Sequence, residues 1–176
     1  MHANAERGDV AAERDHDRAA AIARRVGDRR LEGIVLGNKA ILQEDAAQLV
    51  EASAARLAAL AIARELGDRL FEGIWLRDLG GQRCREGAYG EAGDLLDQAE
   101  RIFVDLDQKL HLGFTICEQG RLAQARGGSA RDHVARSREI ARTLGAGPDS
   151  ALGGKIADLA SGEDQYPRAA EDTLTP

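Results

Sequence analysis

The chain repeats itself after forty residues. Residues 27–36 read GDRRLEGIVL, and residues 67–76 read GDRLFEGIWL. Of the 22 residues in 19–40, twelve are identical to the residue forty positions later. Fainter copies follow at residues 102–113 and at residues 140–145, the last of them two residues early. A fixed period of this size is typical of proteins built from stacked repeats.

Apolar residues within each period recur at helical spacing. The clearest stripe steps by four, three, four and three residues through Ala92, Leu96, Ala99, Phe103 and Leu106. Such a stripe lies along one face of an α-helix, so each period is expected to hold a pair of helices.

Glycine followed by aspartate marks one of the two turns in each period. Gly27 and Gly67 suit the end of a helix, where a positive φ costs glycine nothing. Asp28 and Asp68 then suit the N-cap of the next helix, and we expect Asp107 to take the same role in the third copy. Gly87 and Gly127 mark the other turn. After it, Ser129 and Asp132 resemble a capping box.

These signals predict a helical domain over residues 1–160. The predicted helices are 9–26, 29–46, 48–66, 69–86, 89–106, 108–126, 130–144 and 148–160. They form a half repeat at 9–26, copies near 29–66, 69–106 and 108–144, and a capping helix at 148–160. The capping helix is expected to begin at Pro148 and to present Leu152, Ile156 and Leu159 as one apolar edge. The acidic residues 161–176 are predicted to be disordered.

One segment resembles a tetratricopeptide repeat. It reads LGGQRCREGAYGEAGDLLDQA, residues 79–99. The positions that carry the likeness are Leu79, Gly80, Gly87, Ala92, Leu96 and Ala99. The likeness covers roughly residues 9–160 in the forty-residue form seen in bacterial regulatory proteins. It implies an all-α, right-handed α-solenoid of antiparallel helical hairpins, whose concave face binds a peptide or partner segment.

Two copies depart from this motif. The first has Lys39–Ala40 in place of Leu79–Gly80 and Ala47 in place of Gly87, and the third has Gln119–Gly120. Lys39 at a packing position is expected to extend its charged end to water. The departures keep an alternative open, in which the chain is a C-terminal regulatory or sensor fragment of a larger bacterial signalling protein, such as a kinase, cyclase, ATPase or transcription regulator.

Composition narrows the kind of partner. A net charge of −6 argues against nucleic-acid binding, which needs a basic field. No apolar run approaches the ~20 residues that a membrane span requires. Cys84 and Cys117 stand alone, which is typical of reduced thiols in a cytoplasmic protein.

No residue set points to catalysis, a metal or a cofactor. The segment GPDSALGGKI, residues 147–156, lacks the glycine and the Ser or Thr of a phosphate-binding loop. Ser129, Asp132 and His133 share one helical turn rather than forming a triad on a scaffold. The histidines have no metal-ligand spacing. We therefore expect a binding protein rather than an enzyme.

The first helices of the repeats carry the candidate binding residues. Arg77, Gly81 and Arg85 stand at i, i+4 and i+8 of one helix. Asn38 precedes them, and Arg121 and Gln124 follow in the other copies. Three arginines favour an acidic or phosphorylated protein segment. The alternative is that they are solvated or paired with Asp78 and Glu86. Self-association is compatible with either alternative.

Overall fold

The computed structural model describes the backbone of residues 2–162 and the side chains of residues 14–162. Within this range the chain is all helical and contains no strand, which confirms the predicted all-α class. The helices are α1 (His2–Val26), α2 (Arg29–Asp45), α3 (Leu49–Glu65), α4 (Arg69–Arg85), α5 (Tyr89–Asp105), α6 (Lys109–Ala125), α7 (Arg131–Leu144) and α8 (Ala151–Ser161).

The structural step is twenty residues, half of the sequence period. Helices α2 to α6 are each 17 residues long and begin twenty residues apart. Between them, one residue in every turn adopts a positive φ. The residues of this series are Gly27, Ala47, Gly67, Gly87, Asp107 and Gly127.

Each of these turns closes with the same pair of backbone hydrogen bonds. At the α3–α4 turn, the N–H of Gly67 donates to Arg64 O at 3.2 Å and the N–H of Asp68 donates to Ala63 O at 2.8 Å. This is the Schellman arrangement, which satisfies carbonyls that a helix end otherwise leaves without partners. The bonds recur at every twenty-residue turn from Gly27 to Gly127. One compact turn thus ends a helix and begins the next.

The predicted aspartate caps are confirmed in the first two copies. Asp28 Oδ1 accepts from the N–H of Leu31 at 2.9 Å, and Asp68 Oδ1 accepts from that of Phe71 at 3.3 Å. The prediction for Asp107 is wrong. By residue count Asp107 stands where Gly27 and Gly67 stand, and its φ is 51°. Gln108 is the N-cap, and its side chain makes no capping bond.

Two predicted helix starts and one predicted cap also need correction. Helix α1 begins at His2, not at residue 9. Helix α8 begins at Ala151 because Ser150 caps it by accepting from the N–H of Gly153 at 3.0 Å, which leaves Pro148 in the preceding turn. Ala130, not Ser129, is the N-cap of α7, and the Ser129 hydroxyl accepts from the N–H of Arg131 instead.

The recurring Arg and Glu of the motif form an ionic cluster across the turn. Glu32 accepts from Arg24 at 2.6 Å and from Arg29 at 2.5 Å. Glu72 accepts from Arg64 at 3.0 Å and Arg69 at 2.6 Å in the next copy. Burial alone raises the pKa of Glu32, but the hydrogen bonds from Arg24 and Arg29 lower it below its usual value overall. The near-identity of the two copies therefore preserves two turns and two ionic clusters.

The chain divides into two compact units, with the boundary between Trp75 and Leu76 inside α4. In the first unit, α2 packs against both α1 and α3. Trp75 is only 4% exposed and belongs to the core. Its ring covers Gly37 so closely that a Cβ there would lie 2.1 Å from the ring.

The first unit also buries charged side chains. Lys39 is half-buried, and its ammonium forms an ion pair at 2.5 Å with Asp17, whose side chain is 60% exposed. Arg56 is 3% exposed and forms an ion pair with Glu44. The residue forty positions after Arg56 is Leu96. The same position of the repeat therefore holds an ion-paired arginine in the first copy and an apolar side chain in the second.

In the second unit, leucines pack over glycines. A Cβ on Gly80 would lie 2.7 Å from Leu96 Cγ, so α4 and α5 approach each other closely at Gly80. Leu152 and Leu159 of α8 cover Gly113 and Gly120 of α6 in the same way, since a Cβ on either glycine would lie 2.9 or 2.6 Å from the leucine above it. Together with Ile156, these leucines of α8 are buried, so the predicted apolar edge of α8 is confirmed.

Two predictions remain, one on the C-terminal tail and one on membrane spans. Ser161 ends α8, and the rest of the predicted tail, residues 163–176, lies outside the described residues. Among the helices of residues 2–162, none combines the length and the apolar character that crossing a bilayer requires.

The turn series predicts that Ala47→Gly stabilises the protein. Ala47 has φ 58°, and relieving the left-handed backbone (~1–2 kcal/mol) outweighs the ~0.4–1 kcal/mol of extra unfolded-chain entropy that glycine brings. We expect a net gain of about 0.5–1 kcal/mol in the free energy of unfolding, measured by urea denaturation.

Gly87→Ala is the matched control. Gly87 has φ 78° and nothing lies within 4 Å of a Cβ placed there, so the substitution changes only the backbone preference. It should lower the free energy of unfolding by a similar amount. Equal stability of both variants and the wild type would contradict the common role of these turn residues.

Candidate partner-binding face

Helices α4 and α6 hold five of the six candidate binding residues in the second unit: Arg77, Gly81, Arg85, Arg121 and Gln124. We call the surface formed by Arg77, Asp78, Gly81, Arg85, His111, Phe114 and Glu118 the α4–α6 face. Asn38, the sixth candidate, is exposed on α2 in the first unit.

Arg77 is the most constrained cation of this face. Its Nε and Nη2 donate to Asp78 Oδ1 at 2.9 and 2.7 Å. Its guanidinium carbon lies 5.8 Å from the centre of the Phe114 ring, within the range of a cation–π contact. The Arg77 side chain is 16% exposed, so the guanidinium is held in one orientation at the edge of the solvent. The pairing with Asp78 fits the alternative that the sequence left open.

His111 joins Arg77 to an aromatic side chain. The imidazole is stacked on Phe103, with the ring centres 5.1 Å apart, and its Nδ1 lies 3.4 Å from Arg77 Nη1. Burial lowers the pKa of His111 and the nearby Arg77 guanidinium lowers it further, against an opposing effect of Asp78. The imidazole is therefore held in its neutral form more strongly than a free histidine.

Arg121 is placed differently from the sequence expectation. It is 5% exposed, and its Nη1 forms an ion pair with Glu118 Oε1 at 2.8 Å. Glu118 Oε2 lies 3.2 Å and Arg85 Nη1 lies 3.8 Å from a Cβ position on Gly81. Gly81 thus leaves the room that these two charged groups occupy. Arg85 is the exposed cation of the face, whereas Arg121 is buried and paired with Glu118.

Gln124 is engaged in packing within the second unit. Its amide donates to the carbonyl of Leu159 at 3.0 Å and so ties α6 to the end of α8. This contact gives Gln124 a structural role in the described chain.

Three residues of this face escaped the sequence interpretation. His111 and Phe114 belong to an alternating segment that reads as apolar rather than functional, and their meeting with Phe103 and Arg77 depends on the packing of separate helices. Glu118 had a detectable signal, because a carboxylate three residues before Arg121 is at ion-pair spacing on a helix.

The two cysteines offer no reactive thiol. Both are free and buried. Burial raises the pKa of Cys84 to about 11, and burial also raises the pKa of Cys117. A thiol is a nucleophile or metal ligand only as the thiolate, so both remain unreactive near neutral pH. No group of three or more His, Cys, Asp or Glu residues that could hold a metal ion occurs among the described residues.

No protein-family model matches the chain, and no curated protein matches its sequence.

The lowered histidine pKa values predict a pH dependence of stability. Burial also lowers the pKa of His133, with the neighbouring Arg136 as the second cause. Between about pH 7.5 and about pH 5.5 the unfolded chain takes up protons at His111 and His133 more readily than the folded chain does. The free energy of unfolding should therefore fall as the pH falls, as measured by urea denaturation at several pH values.

The double variant His111→Gln, His133→Gln is the control for this pH effect. It removes both titrating groups, so its stability should vary less between about pH 7.5 and about pH 5.5 than that of the wild type. An unchanged slope in the double variant, or a wild type that gains stability on acidification, would disprove the assignment.

Proposed function

We propose that this protein is a tetratricopeptide-like interaction scaffold whose α4–α6 face binds an acidic segment of a partner protein. The observation that carries the proposal is the Arg77 guanidinium, held by Asp78 and Phe114, on the helix that also carries the exposed Arg85 eight residues later. The twenty-residue helix array supports it, because repeat proteins of this build use side chains on rigid helices to hold extended segments.

A fixed guanidinium suits the recognition of a carboxylate. Arginine loses side-chain freedom when it binds a partner, and this loss lowers affinity. Asp78 and the Phe114 ring already restrict Arg77, so binding through it carries less of that cost. A charged hydrogen bond to a partly buried group such as Arg77 is also stronger than one to a fully exposed group.

The neighbouring groups favour a mixed segment rather than a purely charged one. Arg85 offers an exposed second cation, and Phe114 is a half-buried ring that can contact an apolar side chain. Glu118 and Asp78 repel any carboxylate of the ligand that lies over them rather than over an arginine, since like charges repel. The proposed ligand is therefore a peptide with one acidic residue for Arg77, one for Arg85 and an apolar residue between or beside them.

The proposal treats the protein as a non-enzyme without a cofactor. The two protonated, buried thiols are compatible with a reducing compartment, so we propose a cytoplasmic location.

Selection from phage-displayed random peptides tests the proposal. Peptides enriched on the immobilised full chain should be acidic, and their affinity, measured by fluorescence anisotropy, should fall as the salt concentration rises. Arg77→Ala and Arg85→Ala should each weaken binding by about tenfold, the effect of losing one charged hydrogen bond of ~1.5 kcal/mol.

Arg101→Ala is the matched control, because Arg101 is an exposed arginine of α5 outside the face. It should leave the affinity unchanged, and all three variants should keep the helical spectrum of the wild type. Arg121→Ala is unsuitable as a binding test because Arg121 is only 5% exposed, so the substitution would disturb a buried ion pair rather than remove a cation on the surface. Enrichment of basic or uncharged peptides, or equal effects of Arg77→Ala and Arg101→Ala, would refute the proposal.

A further inference from the structure

The third copy lacks the ionic cluster of the first two. Counted in steps of forty, Val104 replaces Arg64, Leu112 replaces Glu72, and Lys109 replaces Arg69. In the earlier copies the Glu accepts hydrogen bonds from both arginines. In the third copy the carboxylate and one arginine have become apolar, and only a lysine remains of the cations.

The residues that take these positions in the third copy line an apolar depression in the second unit. Val104, Leu112 and Ile140 contribute to its wall together with Phe103, and its volume is about 270 Å³. Val104 is 56% exposed although it is a large aliphatic side chain. Leu144, at the end of α7, is 42% exposed and adds apolar surface four residues beyond Ile140.

Charges of both signs border the depression. Lys109 contacts Asp107 at 4.0 Å, and that is its one ion pair within the described part of the chain. Asp107 is 85% exposed. Glu139, on the opposite wall, is paired with Arg142 at 2.6 Å. The border therefore holds a lysine in a long ion pair, Lys109, next to a highly exposed carboxylate, Asp107.

This charge pattern decides between kinds of occupant. An acidic segment would face Asp107, and a basic segment would face Lys109, so neither matches the border. A partner surface with a carboxylate opposite Lys109 and a cation opposite Asp107 matches both groups. A two-fold axis between two copies of the chain produces this match, because it places Asp107 of one copy opposite Lys109 of the other and Lys109 of the first opposite Asp107 of the second.

We propose that the depression of Val104, Leu112 and Ile140 is the centre of a two-fold interface with a second copy of this chain. Lys109 of each copy pairs with Asp107 of the other, and Val104 of each copy is covered by the apolar wall of its neighbour. Covering an aliphatic side chain of this exposure removes apolar surface from water, which supplies the driving force. The interface is formed by residues other than those of the α4–α6 face, so the proposal does not depend on peptide binding.

Sedimentation equilibrium of the full chain tests the interface. From about 1 µM to about 100 µM the wild type should shift from monomer towards dimer by mass action. Val104→Glu places a charge in the apolar centre and should raise the dimer dissociation constant by at least about tenfold. Val50→Glu is the matched control, because Val50 is 80% exposed and lies in the first unit, and it should dimerise like the wild type.

A charge exchange tests the pairing itself. Lys109→Glu alone should weaken the dimer because the new carboxylate would face Asp107 of the other copy. Combining it with Asp107→Lys should restore the dimer, since the two-fold pairing then holds with both signs reversed. Thermal melting of each variant shows that the fold is kept.

Three results would overturn the proposal: a wild type that stays monomeric up to about 100 µM, dimerisation of Val104→Glu as strong as that of the wild type, or loss of the dimer in Val50→Glu as well. A monomeric wild type would leave the depression to a different protein.

Discussion

A backbone residue with positive φ every twenty positions is the constraint on which the rest of the structure depends. It ends a helix of 17 residues and starts the next after a turn of three. Each residue added to a helix rotates the following side chains by about 100°, so a constant helix length keeps the same sequence positions in the core. The Schellman hydrogen bonds satisfy carbonyls at the end of the helix before each of these turns, and Asp28 and Asp68 also satisfy a backbone N–H of the helix that follows. The forty-residue sequence period follows because first and second helices alternate.

Close helix packing follows from this register. Leu96 lies over Gly80, and Leu152 and Leu159 lie over Gly113 and Gly120. The copies differ at individual side chains within this common backbone register. Arg56 with Glu44 replaces an apolar contact in the first unit. In the second unit, Arg77 lies beside the Phe114 ring, and Val104 occupies the position that Arg64 occupies in the preceding copy. Repeat proteins acquire distinct surfaces in this way, because a common frame holds each changed residue in a known position.

The helices and the core could be predicted from the sequence, because both follow from periodicity and from the turn glycines. The helix starts were correct to within one residue from α2 to α7. The cap role assigned to Asp107 is wrong because the residue forty positions after Asp68 is Gln108, not Asp107. The candidate face was only partly accessible. Arg77 and Arg85 could be named from their spacing, but the burial of Arg121 and the stacking of His111 on Phe103 depend on how separate helices pack.

Deletion of one whole period tests the repeat architecture most directly. Removing residues 28–67 joins Gly27 to Asp68 and takes out forty residues without changing the phase of the turns. The shortened chain should keep the same fraction of helix by circular dichroism and should melt cooperatively. Removing residues 28–57 takes out only thirty residues and joins a turn glycine to the middle of a helix, so that chain should lose its cooperative melt. If the in-phase deletion unfolds like the out-of-phase deletion, the protein is not built from interchangeable forty-residue repeats.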